Sequence, residues 1–197
     1  MRAVVLRTHG GPEVLTIEEV DDPTPGRDDI VVDVEHTAIN RADILQRMGM
    51  YPDPRNRSVE IPGLEFAGVV SAVGADVIGW SVGDRAMGIE AGGCYAGKVV
   101  THARQALPVP ASVASADAAA IPEVFLTAWD ALVVQGGLTS GRWALVHAGA
   151  SGVGTAGIQI AKAIGARIAV TCSAGKVDAC RELGADVVLE RSPADWL

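Results

Sequence analysis

The chain has 197 residues, of which 49% are hydrophobic and only 4% aromatic, so one or two domains can form around cores of Val, Ile, Leu and Ala. Its formal net charge of −8 argues against nucleic acid or an anionic membrane surface as the main partner. The three cysteines have no metal-type spacing and predict free thiols in a reducing cytoplasm. The uncharged stretch from Trp143 to Ala161 contains four glycines and several polar side chains, which argues against a membrane span.

Residues 1–110 have the composition of a mostly β region, and residues 1–122 are expected to form the first domain. A short helix is predicted from Asn40 to Gly49, where glycine ends it, and a proline-containing loop from Tyr51 to Arg57. Residues 115–135 are alanine-rich and then apolar at helical spacing, which predicts helices that bridge two domains. The strand-like runs are rich in Val and Ile and are Ala3 to Leu6, Val14 to Val20, Ile30 to Ile39, Leu64 to Val73 and Asp84 to Ile89.

From residue 143 onward the pattern changes to α/β, so residues 123–197 are expected to form a second domain. Apolar runs at Trp143 to Ala148, Arg167 to Cys172 and Asp186 to Leu189 alternate with two helical stretches, the second from Lys176 to Leu183. This order predicts β-α-β-α-β, which is one half of a doubly wound parallel sheet. The fold class is therefore α/β plus mainly β.

The first strand-to-helix turn of this region predicts a phosphate-binding site. Small residues let backbone N–H groups approach a diphosphate at a helix N-terminus, and the turn contains Gly149, Ala150, Ser151, Gly152, Val153 and Gly154. A literal G-x-G-x-x-G begins at Gly152, but its last glycine, Gly157, would already lie within the helix. We therefore expect the trio Gly149, Ser151 and Gly154 to form the turn. The alternative is a purely structural glycine-rich turn.

Several motifs together resemble the medium-chain dehydrogenase/reductase superfamily, and among its members the zinc-free, zeta-crystallin-like NADPH:quinone oxidoreductases. The resemblance covers essentially the whole chain and implies a GroES-like β-barrel catalytic domain followed by a Rossmann cofactor domain. The blocks that carry it are GGPEVL (10–15), NRADILQRMGMYPDP (40–54), IPGLEFAGVVSAVG (61–74), VGDRAMG (82–88), AAAIPEVFLTAWDAL (118–132) and HAGASGVGTAGIQIAKAIGA (147–166).

The resemblance also allows zinc use to be assessed. Zinc-dependent relatives have a Cys, a His and another Cys at three places that are occupied here by Asn40, Leu64 and Glu123. Leucine cannot bind zinc, and the other two residues do not make a tetrahedral site. We expect no metal, so the substrate is expected to be a quinone or an enone, in which negative charge is delocalised over a conjugated acceptor.

The end of the second parallel strand predicts which dinucleotide binds. NAD-preferring Rossmann sites have Asp or Glu there, whereas this chain has Ser173, followed by Lys176. An uncharged strand end beside a lysine suits the 2′-phosphate, so NADPH is expected rather than NADH. The alternative is that Lys176 merely begins a surface helix.

By the same resemblance, the catalytic candidates are Asn40 and Tyr51, and Thr127 matches a position beside the nicotinamide. Asn40 can hydrogen-bond a substrate carbonyl and stabilise charge that develops on its oxygen, and Tyr51 can do the same or pass on a proton. Each has a structural alternative, because Asn40 opens a helix, Tyr51 is in a loop and Thr127 fits a helix interior. Asp43 is expected to be an exposed or capping carboxylate, and Glu65 to support the pocket.

Only three of the roughly six strands of a complete doubly wound sheet are found before the last residue. We therefore expect a fragment, a truncated product or a chain that assembles with a partner, for example as a homo-oligomer through its bare edge strand. Two hypotheses follow. The first is a zinc-independent reductase of quinones or related conjugated carbonyls, and the second is a catalytically incomplete dinucleotide-binding or scaffold fragment of such an enzyme.

Overall fold

The computed structural model describes residues 1–51 and 60–191, and it divides into two units, Met1–Glu123 and Val124–Leu197. Of the predicted loop from Tyr51 to Arg57, only Tyr51 lies within the described residues. None of the helices in these two ranges has the length and apolar character needed to cross a bilayer.

The first unit is built on antiparallel strands, as the sequence predicts. Five of them form a sheet in the order β6-β3-β4-β5-β7, and β1 pairs with β2 in a separate two-stranded sheet. Ile30, Val32, Phe66 and Val70 fill the core of the larger sheet and are almost completely buried. The strands are β1 (Arg2–Leu6), β2 (Leu15–Glu19), β3 (Asp29–His36), β4 (Glu65–Val73), β5 (Arg85–Ile89), β6 (Lys98–His102) and β7 (Ala106–Pro108).

Two details of the sheet differ from the prediction. The run predicted to continue to Ile39 ends as a strand at His36, and the next residue, Thr37, donates its hydroxyl to the Glu65 carbonyl oxygen. Strands β6 and β7 were not predicted, because charged residues and Pro108 interrupt their short apolar patterns. The core face of the sheet is nevertheless formed by the predicted runs.

The predicted helix after β3 is present as α1 (Arg41–Arg47), with Asn40 at its N-cap and Gly49 beyond its end at a φ of 72°. The alanine-rich region forms α2 (Ser115–Ala118) and α3 (Pro122–Trp129), and a π-helical stretch over Asp130–Gln135 continues α3.

The second unit has the predicted β-α-β-α-β order, and its three strands form a parallel sheet in the order β10-β9-β8. The centre of the sheet is formed by Ile168 and Val170, which pack with Ile158 and Ala161 of the first helix, all fully buried. The elements are β8 (Trp143–Val146), α4 (Gly152–Ala163), β9 (Arg167–Cys172), α5 (Val177–Glu182) and β10 (Val187–Glu190). The predicted fold class, a mainly β unit followed by half of a doubly wound sheet, is confirmed.

Candidate active site

In the first unit, Asn40 is fixed through its side chain as well as its main chain. Its Nδ2 donates to Glu65 Oε1 at 2.7 Å, and its backbone N–H donates to Asp43 Oδ2, also at 2.7 Å. Asn40 is therefore the N-cap of α1, as predicted. Its side-chain amide also makes a long-range bond to Glu65, the first residue of β4. Substrate binding and helix capping are compatible roles for this residue.

Glu65 is 1% exposed, and both of its carboxylate oxygens accept hydrogen bonds. Its Oε2 accepts the backbone N–H of Glu123 at 2.9 Å, while Oε1 accepts the Asn40 amide. Glu65 therefore links two of the three places at which zinc-dependent relatives have ligands. The third, Leu64, is buried and has no donor atom for a metal. No group of three or more His, Cys, Asp or Glu side chains in residues 1–51 and 60–191 could hold a metal ion.

Burial dominates the electrostatics of this cluster. Desolvation raises the pKa of Glu65, while hydrogen bonds from Asn40 and from the Glu123 N–H favour the ionised form and oppose the shift. Desolvation also raises the pKa values of Asp43 and Glu123, and for Glu123 the negative charges of Glu65 and Asp43 add to the effect. The cluster therefore takes up protons more readily than exposed carboxylates do.

The sequence did not reveal the polar groups that form hydrogen bonds with the buried side chains of α1. Tyr95 donates its hydroxyl to Asp43 Oδ2 at 2.7 Å, and burial beside this carboxylate raises the pKa of Tyr95 above its usual range. Gln46 is buried, donates to the Ala91 carbonyl and accepts the Gly63 N–H at 3.0 Å. Asp43 is itself 5% exposed and accepts the Asn40 N–H, so of the two expected roles, exposed or capping, it has the capping one. No local pattern encodes partners that are 52 residues apart in the chain.

The remaining two candidates lie in different units. Tyr51 is 37% exposed and follows α1 in the first unit, and its neighbours from residue 52 to 59 lie outside the described residues. Thr127 is an exposed residue of α3 in the second unit. The roles of both residues in catalysis and nicotinamide binding stay predictions.

In the second unit, Gly149 and Ser151 lie in the turn between β8 and α4 as predicted, whereas Gly154, the last residue of the predicted trio, lies in the first turn of α4. Helix α4 begins at Gly152, so the literal glycine motif lies entirely within it, and Ser151 caps the helix by accepting the Gly154 N–H at 3.1 Å. A Cβ atom at Gly149 would lie 2.5 Å from Val170 Cβ, and one at Gly154 would lie 2.4 Å from the Ala148 carbonyl oxygen. The chain can therefore turn this tightly only with glycine at these two positions.

Ala148, the residue before Gly149, has a φ of 56°, in the left-handed region that non-glycine residues seldom occupy. Thr171 at the end of β9 holds the turn in place, because its Oγ1 accepts the Ala148 N–H at 3.3 Å and its carbonyl accepts the Gly149 N–H at 2.8 Å. Such strain persists only where the surrounding structure maintains it, and it is concentrated at ligand-binding and catalytic sites.

Beside this turn, the second unit has a depression of about 250 Å³. Four residues that the sequence predicted for cofactor binding, Ala150, Ser151, Ser173 and Lys176, line it. The other lining residues, Ala148, Thr171, Cys172 and Arg191, were not among the residues predicted to bind the cofactor. Arg191 directly follows β10, so a basic residue at the end of the third strand was the signal that could have revealed it.

The depression has groups that could hold an anion. The first N–H groups of a helix have no intrahelical acceptor, and in α4 those of Gly152 and Val153 follow the Ser151 cap. Lys176 and Arg191 contribute two cations, and the described residues of the lining include no carboxylate. Two cations and Ser151, the residue that caps α4, therefore line one concave surface.

Comparison with known proteins identifies the family. Residues 26–111 match the family described as alcohol dehydrogenase GroES-like domain. Among solved structures, the chain superimposes with a TM-score of 0.86 on the quinone oxidoreductase of Escherichia coli solved with NADPH, at 33% identity over 96% of this chain and 58% of that one. The chain belongs to the medium-chain dehydrogenase/reductase superfamily.

Other members of the superfamily differ in their described activities. An NAD-dependent alcohol dehydrogenase has a TM-score of 0.90 at 34% identity, over 100% of this chain and 65% of that one. The CurK enoyl reductase has a TM-score of 0.87 at 29% identity, over 96% of this chain and 59% of that one.

The curated relatives are much longer. A mycocerosic acid synthase-like polyketide synthase of Mycobacterium tuberculosis is 38% identical over 97% of this chain, which spans 9% of that protein. The spectinabilin polyketide synthase system protein NorB of Streptomyces orinoci is 41% identical over 82% of this chain and 7% of its own length. The chain therefore spans less than a tenth of these relatives and about three fifths of the solved structures.

Proposed function

We propose that this chain carries the coenzyme-binding turn and the carbonyl-binding residue of an NADPH-dependent reductase, which transfers hydride to a quinone or a similar conjugated carbonyl without zinc. The observation that supports it most strongly is the turn from Ala148 to Gly154. Its tight glycine contacts, its capped helix and the depression beside it fit a pyrophosphate.

The charge distribution in the depression supports NADPH over NADH. Ser173 directly follows β9, at the place where an Asp or Glu would bind the ribose hydroxyls of NADH and repel a 2′-phosphate. Lys176 and Arg191 line the same depression, and both can form charge-assisted hydrogen bonds with a phosphate.

Asn40 supports reduction of a conjugated carbonyl. A bound NADPH would supply a hydride ion to the conjugated acceptor, and the electron pair displaced there would move to the carbonyl oxygen. An amide N–H of Asn40 stabilises that oxygen as its negative charge develops, and solvent supplies the proton that completes the reduction. Conjugation spreads the charge, so this chemistry needs no Lewis acid.

The donor set supports a reaction that is independent of zinc. Leu64 offers no ligand atom, the Asn40 amide is hydrogen-bonded to Glu65, and the Glu123 backbone bonds to the same carboxylate. Asn40 Oδ1 and the Glu123 carboxylate would leave a metal at these three places with at most two ligand residues, one fewer than the three protein ligands of a catalytic zinc site.

A second acceptor class is favoured by the relatives. Polyketide synthases and the CurK enoyl reductase lie within the same similarity range as the quinone oxidoreductases. An enoyl thioester is also a conjugated carbonyl, so the same Asn40 contact serves it. The difference lies in where hydride arrives, which is the β-carbon in an enoyl thioester and the quinone ring or its oxygen in a quinone.

The test is NADPH oxidation by the purified protein, with 1,4-benzoquinone, menadione and crotonyl-pantetheine as acceptors, measured with and without EDTA. Turnover of at least one acceptor, faster with NADPH than with NADH and unaffected by EDTA, would support the proposal. NADPH binding without turnover would indicate the incomplete dinucleotide-binding fragment. Activity that EDTA abolishes and Zn²⁺ restores would refute the zinc-free mechanism.

A further inference from the structure

The hydrogen bonds of Glu65 determine the orientation of the Asn40 amide. Only the nitrogen of an amide side chain can donate, and an ionised carboxylate can only accept, so Asn40 must turn Nδ2 toward Glu65. The second oxygen of Glu65 is occupied by the Glu123 N–H, which fixes the carboxylate plane. Glu65, at the start of β4, thereby fixes the orientation of the Asn40 side-chain amide.

We propose that Glu65 is a positioning residue that holds the Asn40 amide so that the second Nδ2 hydrogen is presented to the carbonyl oxygen of the substrate. This inference rests on the proposed function, because Asn40 is the carbonyl-binding residue there. It assigns to a buried carboxylate the orienting task that hydrogen-bonded carboxylates perform for the ligands of metal sites.

The main chain of Asn40 is held independently of Glu65. Its N–H donates to Asp43 Oδ2, and the same oxygen of Asp43 accepts the Tyr95 hydroxyl. With the backbone fixed, the freedom that remains to Asn40 is rotation of its side chain, which is restricted by the bond from Nδ2 to Glu65 and by the capping-box contact with the Asp43 backbone. Loss of Glu65 should therefore loosen the nitrogen end of the amide without releasing the helix start.

Binding both the Asn40 amide and the Glu123 N–H requires a side chain with two acceptor oxygens. A glutamine at position 65 would offer one oxygen to two donors, so its own NH₂ group would face either the Asn40 amide or the Glu123 N–H. A leucine would offer no acceptor at similar volume. The two substitutions should therefore impair the positioning of Asn40 to different degrees, with Glu65→Leu the more severe.

Selective labelling with ¹⁵N-asparagine gives a direct signature of this contact, because the sequence contains only two asparagines, Asn40 and Asn56. In the unsubstituted protein, we expect one Asn40 Hδ2 proton to be shifted downfield and protected from exchange with solvent. Asn56→Gln assigns the two side-chain signals. The signature should be lost in Glu65→Leu, be weakened in Glu65→Gln and persist in Glu90→Gln, which removes another buried carboxylate of the first unit.

Steady-state kinetics then test the consequence for catalysis. Glu65→Leu should lower kcat by about 10-fold to 100-fold, a part of the loss expected when an oxyanion donor is removed, and leave the NADPH dissociation constant unchanged. An unshifted, freely exchanging Asn40 amide in the unsubstituted protein would overturn the proposal even if a variant fails to fold. An unchanged kcat in a folded Glu65→Leu variant would also overturn it. If the NMR signature behaves as expected but no acceptor is reduced by the unsubstituted protein, the proposed function fails and the Glu65–Asn40 contact stands.

Discussion

Substitution of Gly154 by alanine tests the proposed coenzyme turn most sharply. The new Cβ would lie 2.4 Å from the Ala148 carbonyl oxygen and 2.7 Å from two backbone atoms of Gly149. Ordinary contact begins at 3.4 Å, so α4 and the turn must separate by about 1 Å, and no flexible side chain can move aside instead.

The expected magnitude combines two opposing effects. Overpacking against rigid backbone costs about 3 kcal/mol, and replacing glycine within a helix recovers about 1 kcal/mol, which leaves a destabilisation of about 2 kcal/mol. In a chain of this size, that corresponds to a fall in Tm of about 4–8 °C. Displacing the first amides of α4 also weakens one or two charge-assisted hydrogen bonds to the pyrophosphate, which raises the NADPH Kd about 10-fold to 100-fold.

Gly157→Ala in the same helix is the matched control. Its Cβ would lie 3.3 Å from the Leu132 Cδ1 atom, which can move, so the helix should gain up to about 1 kcal/mol and bind NADPH as before. Thermal unfolding and fluorescence titration with NADPH measure both effects. If Gly154→Ala matches Gly157→Ala in Tm and in affinity, the turn does not require close backbone contact and the reasoning is refuted.

Three further predictions concern the coenzyme, the substrate and pH. Ser173→Asp should shift the ratio of NADPH to NADH affinity toward NADH by at least about tenfold, since a carboxylate repels the 2′-phosphate; equal ratios before and after substitution would argue against a phosphate at this place. Asn40→Ala should lower kcat about 100-fold at an unchanged NADPH Kd, measured by NADPH oxidation with the best acceptor; an unaltered kcat would remove Asn40 from the reaction. The pKa of Glu123 is raised in the folded protein, so the native state binds the proton more tightly and the stability due to this group is lost as pH rises above 4.5 through the folded pKa. Glu123→Gln should therefore be more favourable to stability at pH 7 than at pH 5 in urea unfolding, and the opposite order would contradict the assigned burial.

The sequence predicted best what local patterns encode. The small residues after β8 required a tight turn, and the position of Gly157 within a helix already excluded the literal glycine motif, so the register of Ser151 followed. The α/β order of the second unit could be predicted because apolar strands and helices alternate regularly.

Long-range partners could not be predicted. The bond from Tyr95 to Asp43 spans 52 residues and the bond from Glu65 to Asn40 spans 25, and neither leaves a periodic trace in the sequence. Arg191 had a local signal, a basic residue directly after β10, but its place beside Ser173 and Lys176 depends on the order of the assembled strands. The burial of Asp43 likewise depends on packing that propensities for the first turn of a helix do not describe.

The central claim is that the second unit binds NADPH at the turn after β8 without a metal. Isothermal titration of NADPH and NADH into protein treated with EDTA tests it most directly. The account predicts that NADPH binds in a one-to-one complex and more tightly than NADH. Absence of binding by both coenzymes, or binding that appears only after Zn²⁺ is added, would contradict it.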